Sequence, residues 1–347
     1  MEAAAVRALR VRRATPVWAA VALLFLVGAL LAGILVGPAH LGVLDVIRSL
    51  GARAHLPGFH SRLSATDEAI LWDIRLPRVV LGGLVGAMLA VAGATYQGVF
   101  RNPLADPYLL GVAAGAGLGA TLAVAYVSTQ NLIPPAAFVG AAVAVGVTYA
   151  LGRSAGRERM GTTLVLAGVT IASFFTAIQT FVQQQHADTL QQVYSWILGR
   201  LPSSGWSDVV LLLPYVVVAT LVIVLHRRQL DVLSVGDEEA STLGVNVPRV
   251  RLLLVVAATL GTAGAVAVSG LIGFVGIIVP HAIRLAGASA YRMLVPLSIV
   301  VGGGFLVLAD VAARTALSHA EIPIGVVTAF CGAPFFAVVM RTSRRFG

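Results

Sequence analysis

The chain has 347 residues, of which 58% are hydrophobic and only 11% are charged, and its mean hydropathy is +0.91. Soluble domains carry about 25% charged residues, so this composition excludes an ordinary water-soluble domain and predicts a polytopic membrane protein. The formal net charge is +9, and all 24 basic residues are arginine. A P-loop requires a lysine, so the chain cannot supply a Walker-type ATP site of its own. Its single cysteine, Cys331, excludes a disulfide framework and a cysteine metal site within one chain.

The first predicted element is a membrane-spanning helix at Val17–Val36, after a short arginine-rich tail over residues 1–16. This apolar run of about 20 residues exceeds the roughly 7–15 residues of a signal-peptide core, so it predicts a span. Nine further apolar runs follow, without the two-residue alternation of barrel strands. They are Pro77–Phe100, Tyr108–Val127, Pro135–Leu151, Leu164–Val182, Val209–Leu225, Leu252–Val268, Leu271–Leu285, Leu294–Ala309 and Ile324–Met340. The predicted fold class is therefore an all-α membrane protein with about ten transmembrane helices in one domain, residues 1–347.

The arginines are distributed unevenly between alternate connections of these spans. With the N-terminus placed in the cytoplasm, seventeen arginines lie on the cytoplasmic side and seven on the outer side. Cytoplasmic loops carry an excess of basic residues, so the bias supports ten spans with both termini inside. The longest predicted connections are His40–Ile74 and Gln183–Ser207 outside and Arg227–Arg251 inside.

The connection between the second and third spans lies in the unusual stretch FRNPLADPYLLGVAAGAGLGA, Phe100 to Ala120. Pro103 and Pro107 cannot continue a helix and Asn102 favours a turn, so a tight cytoplasmic corner is expected. Glycines then recur every four residues, a spacing that lets a neighbouring helix approach closely. These glycines are Gly111, Gly115 and Gly119.

Two short motifs lack the structural context that their chemistry requires. The stretch GRSAG at Gly152–Gly156 matches the nucleophile-elbow pattern, but it follows a membrane helix and not a strand. The stretch GAGLGA at Gly115–Ala120 fits a dinucleotide fingerprint, yet neither a strand before it nor an acidic residue about 20 positions later is present. The sequence also lacks HExxH, CxxCH and paired intramembrane carboxylates, which disfavours a proton pump or an intramembrane protease.

The fifth predicted span is polar along one side. Ser173, Thr176, Thr180 and Gln183 are spaced three or four residues apart and share a helix face, with Gln179 beside them. Two interpretations remain open, namely hydrogen bonds to neighbouring helices or a water-facing translocation wall, and the length of the stripe favours the wall.

Three arginines stand at the predicted outer ends of the spans, where the arginine bias makes them less expected. Arg75 and Arg78 begin the second span, and Arg314 follows Asp310 by four residues near the end of the ninth. They are interpreted either as snorkelling arginines with an Asp310–Arg314 pair, or as cations on one outer face that receive an acidic partner.

A cytoplasmic stretch, GDEEASTLGVN, places three acids before a short helical segment that ends near Gly244. Acids favour a helix N-terminus and glycine favours its end, so the pattern predicts a short capped helix. Such a helix projecting from the membrane suits docking, and an ordinary polar loop is the alternative.

Several long motifs resemble those of FecCD/BtuC-type permeases, the membrane subunits of type II ABC importers for ferric siderophores, haem and cobalamin. The first runs from Arg75 to Gly117 and includes RLPR, YQ and RNPLADPYLLGV. Later ones are VLAGV, GDEEASTLGV, SGLIGFVGIIVPHAIRLAG, LADVAAR and EIPIGVVTAFCGAPFF. The resemblance covers the chain in order from Arg75 onward.

The resemblance implies a ten-helix subunit of the bacterial inner membrane that works as a homodimer. It also implies two cytoplasmic ATPase subunits that bind ATP and Mg²⁺, and a periplasmic substrate-binding protein. By the same resemblance, the permease itself is expected to need no cofactor, no metal and no nucleic acid, and not to be an enzyme. The matching residues fall into four groups: binding-protein docking by Arg75, Arg78 and Arg314; a cytoplasmic gate at Asn102, Leu104, Gly161 and Thr162; a translocation path along Ser173, Thr176, Gln179, Thr180 and Gln183; and ATPase coupling by Asp237, Glu238, Glu239, Ala240, Leu243 and Gly244. At Gly161 the sequence departs from the hydroxyl residue usual in the family.

An iron chelate, either a ferric siderophore or haem, is the expected substrate because such chelates dominate the range of the family, and cobalamin is the alternative. His40, His55, His60 and His186 lie in outer connections, where a solvated histidine is more common than a ligand of haem iron. Outside this family, the alternatives are an ion-coupled carrier or a membrane enzyme that uses Ser154; the lack of buried acids and lysines argues against the carrier.

Overall fold

The computed structural model describes residues 2–37, 39, 41–127, 129–154, 160–201, 205–317 and 320–343. Within these ranges every regular element is helical. The helices are α1 (Glu2–Leu35), α2 (Val43–Arg53), α3 (Ala65–Ala69), α4 (Leu76–Phe100), α5 (Val112–Tyr126), α6 (Ile133–Ser154), α7 (Met160–Gln185), α8 (Leu190–Ile197), α9 (Trp206–Leu225), α10 (Arg227–Leu233), α11 (Asp237–Thr242), α12 (Val247–Ser269), α13 (Val275–Leu285), α14 (Tyr291–Thr315) and α15 (Ile324–Ser343). A π-helical turn at Ile70–Arg75 joins α3 to α4.

Each of the ten predicted spans overlaps one of these helices. Seven described helices are long and apolar enough to cross a membrane, and the shorter apolar stretches Val112–Tyr126, Val275–Leu285 and Ile324–Val339 account for the other three spans. The prediction of an all-α membrane fold is therefore confirmed.

The ends of several elements differ from the prediction. The tail over residues 1–16 is helical from Glu2, and the predicted outer loop contains the helix α2 (Val43–Arg53). The eighth span starts at Val275 and not at Leu271, because the backbone turns through positive φ angles at Gly270 (67°) and Phe274 (69°). A left-handed residue at each point interrupts the helical ladder.

Helix α4 forms the centre of the fold, and 20 of its 25 residues are buried. It packs against α9, α12, α13 and α14. Two of these contacts need glycine: a side chain at Gly86 collides with the backbone of Gly302 on α14, and one at Gly93 collides with the backbone of Gly276 on α13. Small residues at such crossings allow close backbone approach, the packing typical of membrane helices.

Helices α5, α6 and α7 form a second packed group beside this centre. Gly115 lies against the backbone of Gly140, and Gly119 lies against that of Ala136, so a Cβ at either glycine has no room. The close approach predicted from the four-residue glycine spacing is thus confirmed at these two positions. Gly111 has a different function, since it precedes α5 with φ +81° and allows the chain to turn into that helix.

Candidate functional site

The corner loop, residues 101–111 between α4 and α5, is a rigid structure with an exposed tip. Arg101 ends α4 in a left-handed conformation at φ 52°. The Asn102 side chain accepts a hydrogen bond from the Leu104 backbone at 2.9 Å, and Asp106 accepts one from the Tyr108 backbone at 2.8 Å. These two Asx turns fix the loop, and Leu104 at its tip is 59% exposed.

A buried glutamine anchors the corner loop to the rest of the bundle. The Gln97 amide donates hydrogen bonds to the carbonyl oxygen of Ala105 at 3.4 Å and to that of Gly276 at 3.0 Å. Arg284 of α13 donates to the Gln97 side-chain oxygen and, at 3.2 Å, to the Tyr291 hydroxyl. The loop therefore depends on α4, α13 and α14 for its position.

The acidic stretch forms the short helix α11, as predicted, followed by Gly244 at φ +80°. Ala240 of this helix is fully buried. Leu243, just after the helix, is 70% exposed, and Val235, just before it, is 69% exposed. Glu238 and Glu239 are exposed as well. The exposed Leu243 and Val235 beside the two carboxylates form a small amphipathic knob on the surface.

Asp237 connects this knob to the corner loop. Its carboxylate accepts hydrogen bonds from Arg251 of α12 at 2.8 and 3.0 Å, and it lies 3.3 Å from the guanidinium of Arg101. The sequence predicted Asp237 as a helix-capping acid and as a residue of the ATPase-coupling segment, without a partner in the corner loop. The ion pair with Arg101 spans 136 positions of the sequence, and no local pattern signals it.

The predicted stripe on α7 is divided by the structure. Ser173, Thr176 and Thr180 are exposed on one face, and Gln183 is half-buried. The hydroxyls of Ser173 and Thr180 donate to backbone carbonyls four residues earlier in the same helix, at 2.9 Å each. Gln179 is buried against Gly117 of α5, so its inclusion in the exposed path is corrected: it packs between helices. No charged side chain interrupts the exposed face.

The three outer arginines and two acids form what we call the outer cluster: Arg75, Arg78, Asp310, Arg314 and Glu321. The Arg78 guanidinium binds Asp310 at 2.9 Å and Glu321 at 2.8 Å. Arg314 binds the same Asp310 at 3.0 Å, which confirms the pair predicted from their four-residue spacing. Arg75 donates to the carbonyl oxygens of Ile34 at 2.7 Å and Leu35 at 3.2 Å, and to that of Ala39.

The arginines of the outer cluster are not displayed on the surface. Arg75, Arg78 and Arg314 are only 4%, 7% and 8% exposed, so the expectation of three cations open to an acidic partner needs correction. Carboxylate and carbonyl oxygens lie against each guanidinium, as buried charges require, although Nε of Arg314 makes only the ion-pair contact with Asp310 and no hydrogen bond. Glu321, which the sequence prediction did not include, is the accessible member, with a side chain 57% exposed. The Arg78 guanidinium beside Glu321 holds the pKa of that carboxyl below its usual range.

Other predicted positions contribute less. Gly161 and Thr162 lie in the first turn of α7, but their side chains are outside the described part of the structure, as is the Ser154 side chain. His40 also lies outside the described residues, His55 and His60 are exposed, and His186 packs edge-on against Tyr126 with ring centroids 4.7 Å apart. The described residues contain no group of three or more potential metal ligands.

Comparison with known proteins shows the family to which this chain belongs. The model of the FecCD transport family matches residues 23–342, almost the whole chain. The chain belongs to the FecCD transport family. It is therefore the permease subunit of a type II ABC importer, with the corner loop and α11 at one end of the bundle and the outer cluster at the other.

Individual FecCD relatives differ in what they are named for. The cobalamin import system permease protein BtuC of Halobacterium salinarum is 43% identical over 277 residues, which cover 80% of this chain and 74% of that protein. The iron(3+)-hydroxamate import system permease protein FhuB of Bacillus subtilis is 36% identical over 290 residues, covering 83% and 75% respectively.

A solved structure shares the fold. Described as an inward-facing conformation of an ABC transporter assigned to the metal-chelate type, it superposes with a TM-score of 0.81 and 26% identity, covering 94% of this chain and 99% of that one.

Proposed function

We propose that this permease moves a bulky metal chelate across the bacterial inner membrane as one of two identical copies. Two cytoplasmic ATPase subunits would bind ATP and Mg²⁺ and drive the cycle, and a periplasmic binding protein would deliver the substrate. In this proposal residues 1–347 form one permease domain with both termini in the cytoplasm. The helices alternate between outward-open and inward-open arrangements, and the permease carries out no bond chemistry itself.

The translocation path follows the exposed face of α7 in this proposal. Ser173, Thr176 and Thr180 offer hydroxyl groups without fixed charge, and their own hydrogen bonds are made within the helix. Phe174 and Phe181 are exposed on an adjoining face of the same helix, so α7 presents its hydroxyl face beside an apolar one. A large polar chelate can slide along such a wall without binding tightly, and a second copy supplies the opposite wall.

Cross-linking tests this pairing of copies. In a Cys331→Ser background, Thr176→Cys is expected to form a disulfide between two copies under mild oxidation in native membranes. Val210→Cys, on the exposed apolar face of α9, serves as the control and should stay monomeric. Equal cross-linking at both positions, or none at Thr176→Cys in any nucleotide state, would contradict the proposed location of the path.

Coupling and gating are assigned to the cytoplasmic end. The knob of Glu238, Glu239 and Leu243 would dock on the ATPase, with Ala240 anchoring it and Gly244 ending its helix. Asn102 and Leu104 would form the gate, together with Gly161 and Thr162. The ion pair between Asp237 and Arg101 supports this assignment, since it joins the docking knob to the gate loop.

Docking of the binding protein is assigned to the outer cluster, where an acidic side chain of that protein would replace Glu321 as the partner of Arg78. Arg78 is buried beneath the accessible Glu321, so an incoming carboxylate reaches the guanidinium by displacing Glu321. Arg75 and Arg314 remain internal and hold the site in shape. A charge reversal at Arg75 or Arg314 would disrupt the fold itself, which makes Glu321 the better position for a docking test.

The proposed substrate is a metal chelate of about the size of a corrin or a siderophore. The 43% identity to a permease named for cobalamin import, against 36% to one named for iron-hydroxamate import, favours cobalamin as the first substrate to test. A ferric siderophore or haem, which the sequence analysis favoured, is the second candidate.

Transport into proteoliposomes tests the substrate. The full complex with its cognate binding protein is supplied in parallel with cobalamin, a ferric hydroxamate and haem, each with and without ATP. Uptake of one chelate only with ATP supports the proposal. Uptake that continues without ATPase subunits would instead favour the ion-coupled carrier, and turnover of substrate by the isolated chain would favour the membrane enzyme.

A further inference from the structure

A groove between α9 and α12 is lined by apolar side chains along almost its whole length. Its volume is about 570 Å³, and Pro214, Tyr215 and Val218 of α9 face Leu253, Val256 and Leu260 of α12 across it. Small residues form part of its floor, since Ala219 and Ala257 also line it and both are buried. Pro214 lies inside α9, where proline removes a backbone hydrogen bond and bends a helix.

One arginine lies at the end of this groove. Arg249, in the first turn of α12, is exposed, and it lines the groove next to Leu252 and Val222. Its guanidinium takes part in none of the ion pairs found among the described residues, whereas Arg251 nearby is bound to Asp237. Arg249 is thus a cation at the end of an apolar groove, and no acidic side chain among the described residues pairs with it.

The length of the groove matches one leaflet of a bilayer. From Arg249 to Leu260 the helix rises over eleven residues, or about 16 Å at 1.5 Å per residue. The hydrocarbon core of a bilayer is about 30 Å thick, so the groove extends from its edge to about the middle. An acyl chain of a lipid in one leaflet has this length, and its headgroup then reaches the level of Arg249.

A second apolar groove shows that the arginine is a distinguishing feature. This groove lies between α5 and α6, has a volume of about 680 Å³, and has no charged residue in its lining. An uncharged groove accepts an acyl chain of any lipid. The α9–α12 groove adds a guanidinium, which binds phosphate by paired hydrogen bonds, and basic pockets between membrane helices select anionic headgroups.

We propose that the α9–α12 groove is a binding site for an anionic phospholipid, with one acyl chain along Val218 and Val256 and the phosphate on Arg249. The site lies on the end of the bundle that carries α11 and the corner loop, because Arg251 of the same helix binds Asp237. A bound lipid would hold α12 and α9 together beside the coupling knob. The proposal concerns the fold alone and does not depend on which substrate is transported.

Lipid retention by the purified full-length chain tests this site. Native mass spectrometry compares retention of phosphatidylglycerol with that of phosphatidylcholine carrying the same acyl chains. Arg249→Gln is expected to weaken phosphatidylglycerol binding about five-fold and to leave phosphatidylcholine binding unchanged. Arg292→Gln is the matched control, since this exposed arginine at the start of α14 lies at the same end of the bundle but away from the groove.

A second pair of variants tests the groove itself. Val218→Trp fills it from an exposed position and should remove one bound lipid, while Val210→Trp, exposed on the same helix outside the groove, should not. Equal phosphatidylglycerol affinity in Arg249→Gln and Arg292→Gln would overturn the headgroup assignment. Equal lipid counts in the two tryptophan variants, or release of a co-purified polypeptide instead of a lipid by Val218→Trp, would overturn the site.

Discussion

Asp237 and Arg101 form an ion pair of 3.3 Å that joins the first residue of α11 to the first residue of the corner loop, just after α4. Arg251 holds the same carboxylate at 2.8 Å from the side of α12. Asp237 is therefore the point where the docking knob, the corner loop and a membrane helix meet. Asn102, which we propose for the gate, directly follows Arg101, so we expect a shift of α11 to reach it through this ion pair.

Asp237→Asn is predicted to uncouple transport from ATP hydrolysis. The pair with Arg101 is half-exposed on both sides, so loss of this pair alone should change the free energy of unfolding by less than about 1 kcal/mol, and the amide oxygen of Asn can still accept from Arg251. The number of substrate molecules moved per ATP should nevertheless fall several-fold in proteoliposomes, because the gate loop no longer follows α11. Glu238→Gln, an exposed neighbour, is the control for loss of one negative charge. An unchanged transport-to-ATP ratio in Asp237→Asn would show that the link is not used.

Arg78→Ala is predicted to destabilise the folded chain strongly. It leaves the buried Asp310 without its closest cation, and breaking a buried pair costs about 3–5 kcal/mol. Thermal unfolding in detergent should therefore show a large loss. The comparison variant is Arg48→Ala, which removes an arginine from the exposed pair with Asp45 and should cost less than about 1 kcal/mol. Similar melting temperatures for the two variants would mean that the outer cluster contributes little.

Glu321→Gln is predicted to strengthen docking of the cognate binding protein, about five-fold or more by surface binding measurements. The substitution removes the resident carboxylate from Arg78 and leaves the guanidinium open to an incoming acid. Lowering the pH should mimic it only well into the acid range, because the pKa of Glu321 is held below its ordinary value. Glu68→Gln, at the same end of the bundle, supplies the control. Weaker docking in Glu321→Gln would indicate that Glu321 itself contacts the partner.

The stability of the corner loop is predicted to depend on pH through Asp106. Burial raises the pKa of this carboxyl from 3.8 to about 6, although the Tyr108 backbone N–H partly opposes the shift. A raised pKa in the folded state means that stability is highest below about pH 4, falls as the pH rises towards 6, and stays lower above it.

Asp106→Asn should therefore gain melting temperature relative to the wild type as the pH is raised from 4 to 7. The amide keeps an oxygen that can accept from Tyr108 but carries no charge. Asp188→Asn, at an exposed position, is the control for the loss of one carboxylate. A melting-temperature difference between Asp106→Asn and the wild type that does not change with pH would refute this titration.

Membrane burial explains why so much of the fold can be predicted from the sequence. A span requires a continuous apolar run, so helices such as α9 (Trp206–Leu225) are evident from composition. The helix α2 (Val43–Arg53) is only 11 residues long and amphipathic, so it contains no continuous apolar run that would signal it. It was consequently predicted as loop. Helix ends at Val275 and Val112 depend on left-handed residues just before them, a backbone choice that hydropathy does not report.

The candidate site is predictable only where its contacts are local. The Asp310–Arg314 pair follows from a spacing of four residues, and the turn at Asn102 follows from its residue type. The contact between Arg78 and Glu321 joins positions 243 residues apart, and only the packing of α4 against α14 brings them together. The burial of Gln179 likewise depends on the tertiary position of Gly117, which helical periodicity alone does not specify.

The glycine contacts of α4 bring its backbone directly against the backbones of α13 and α14. At Gly86–Gly302 and Gly93–Gly276 backbone meets backbone, with no side chains between that can change rotamer and absorb sliding. We therefore expect α4, α13 and α14 to move together as a stator, a block whose internal distances stay constant through a transport cycle. Probes placed within that block give reference positions, against which any displacement of α7 and α11 during turnover can be measured.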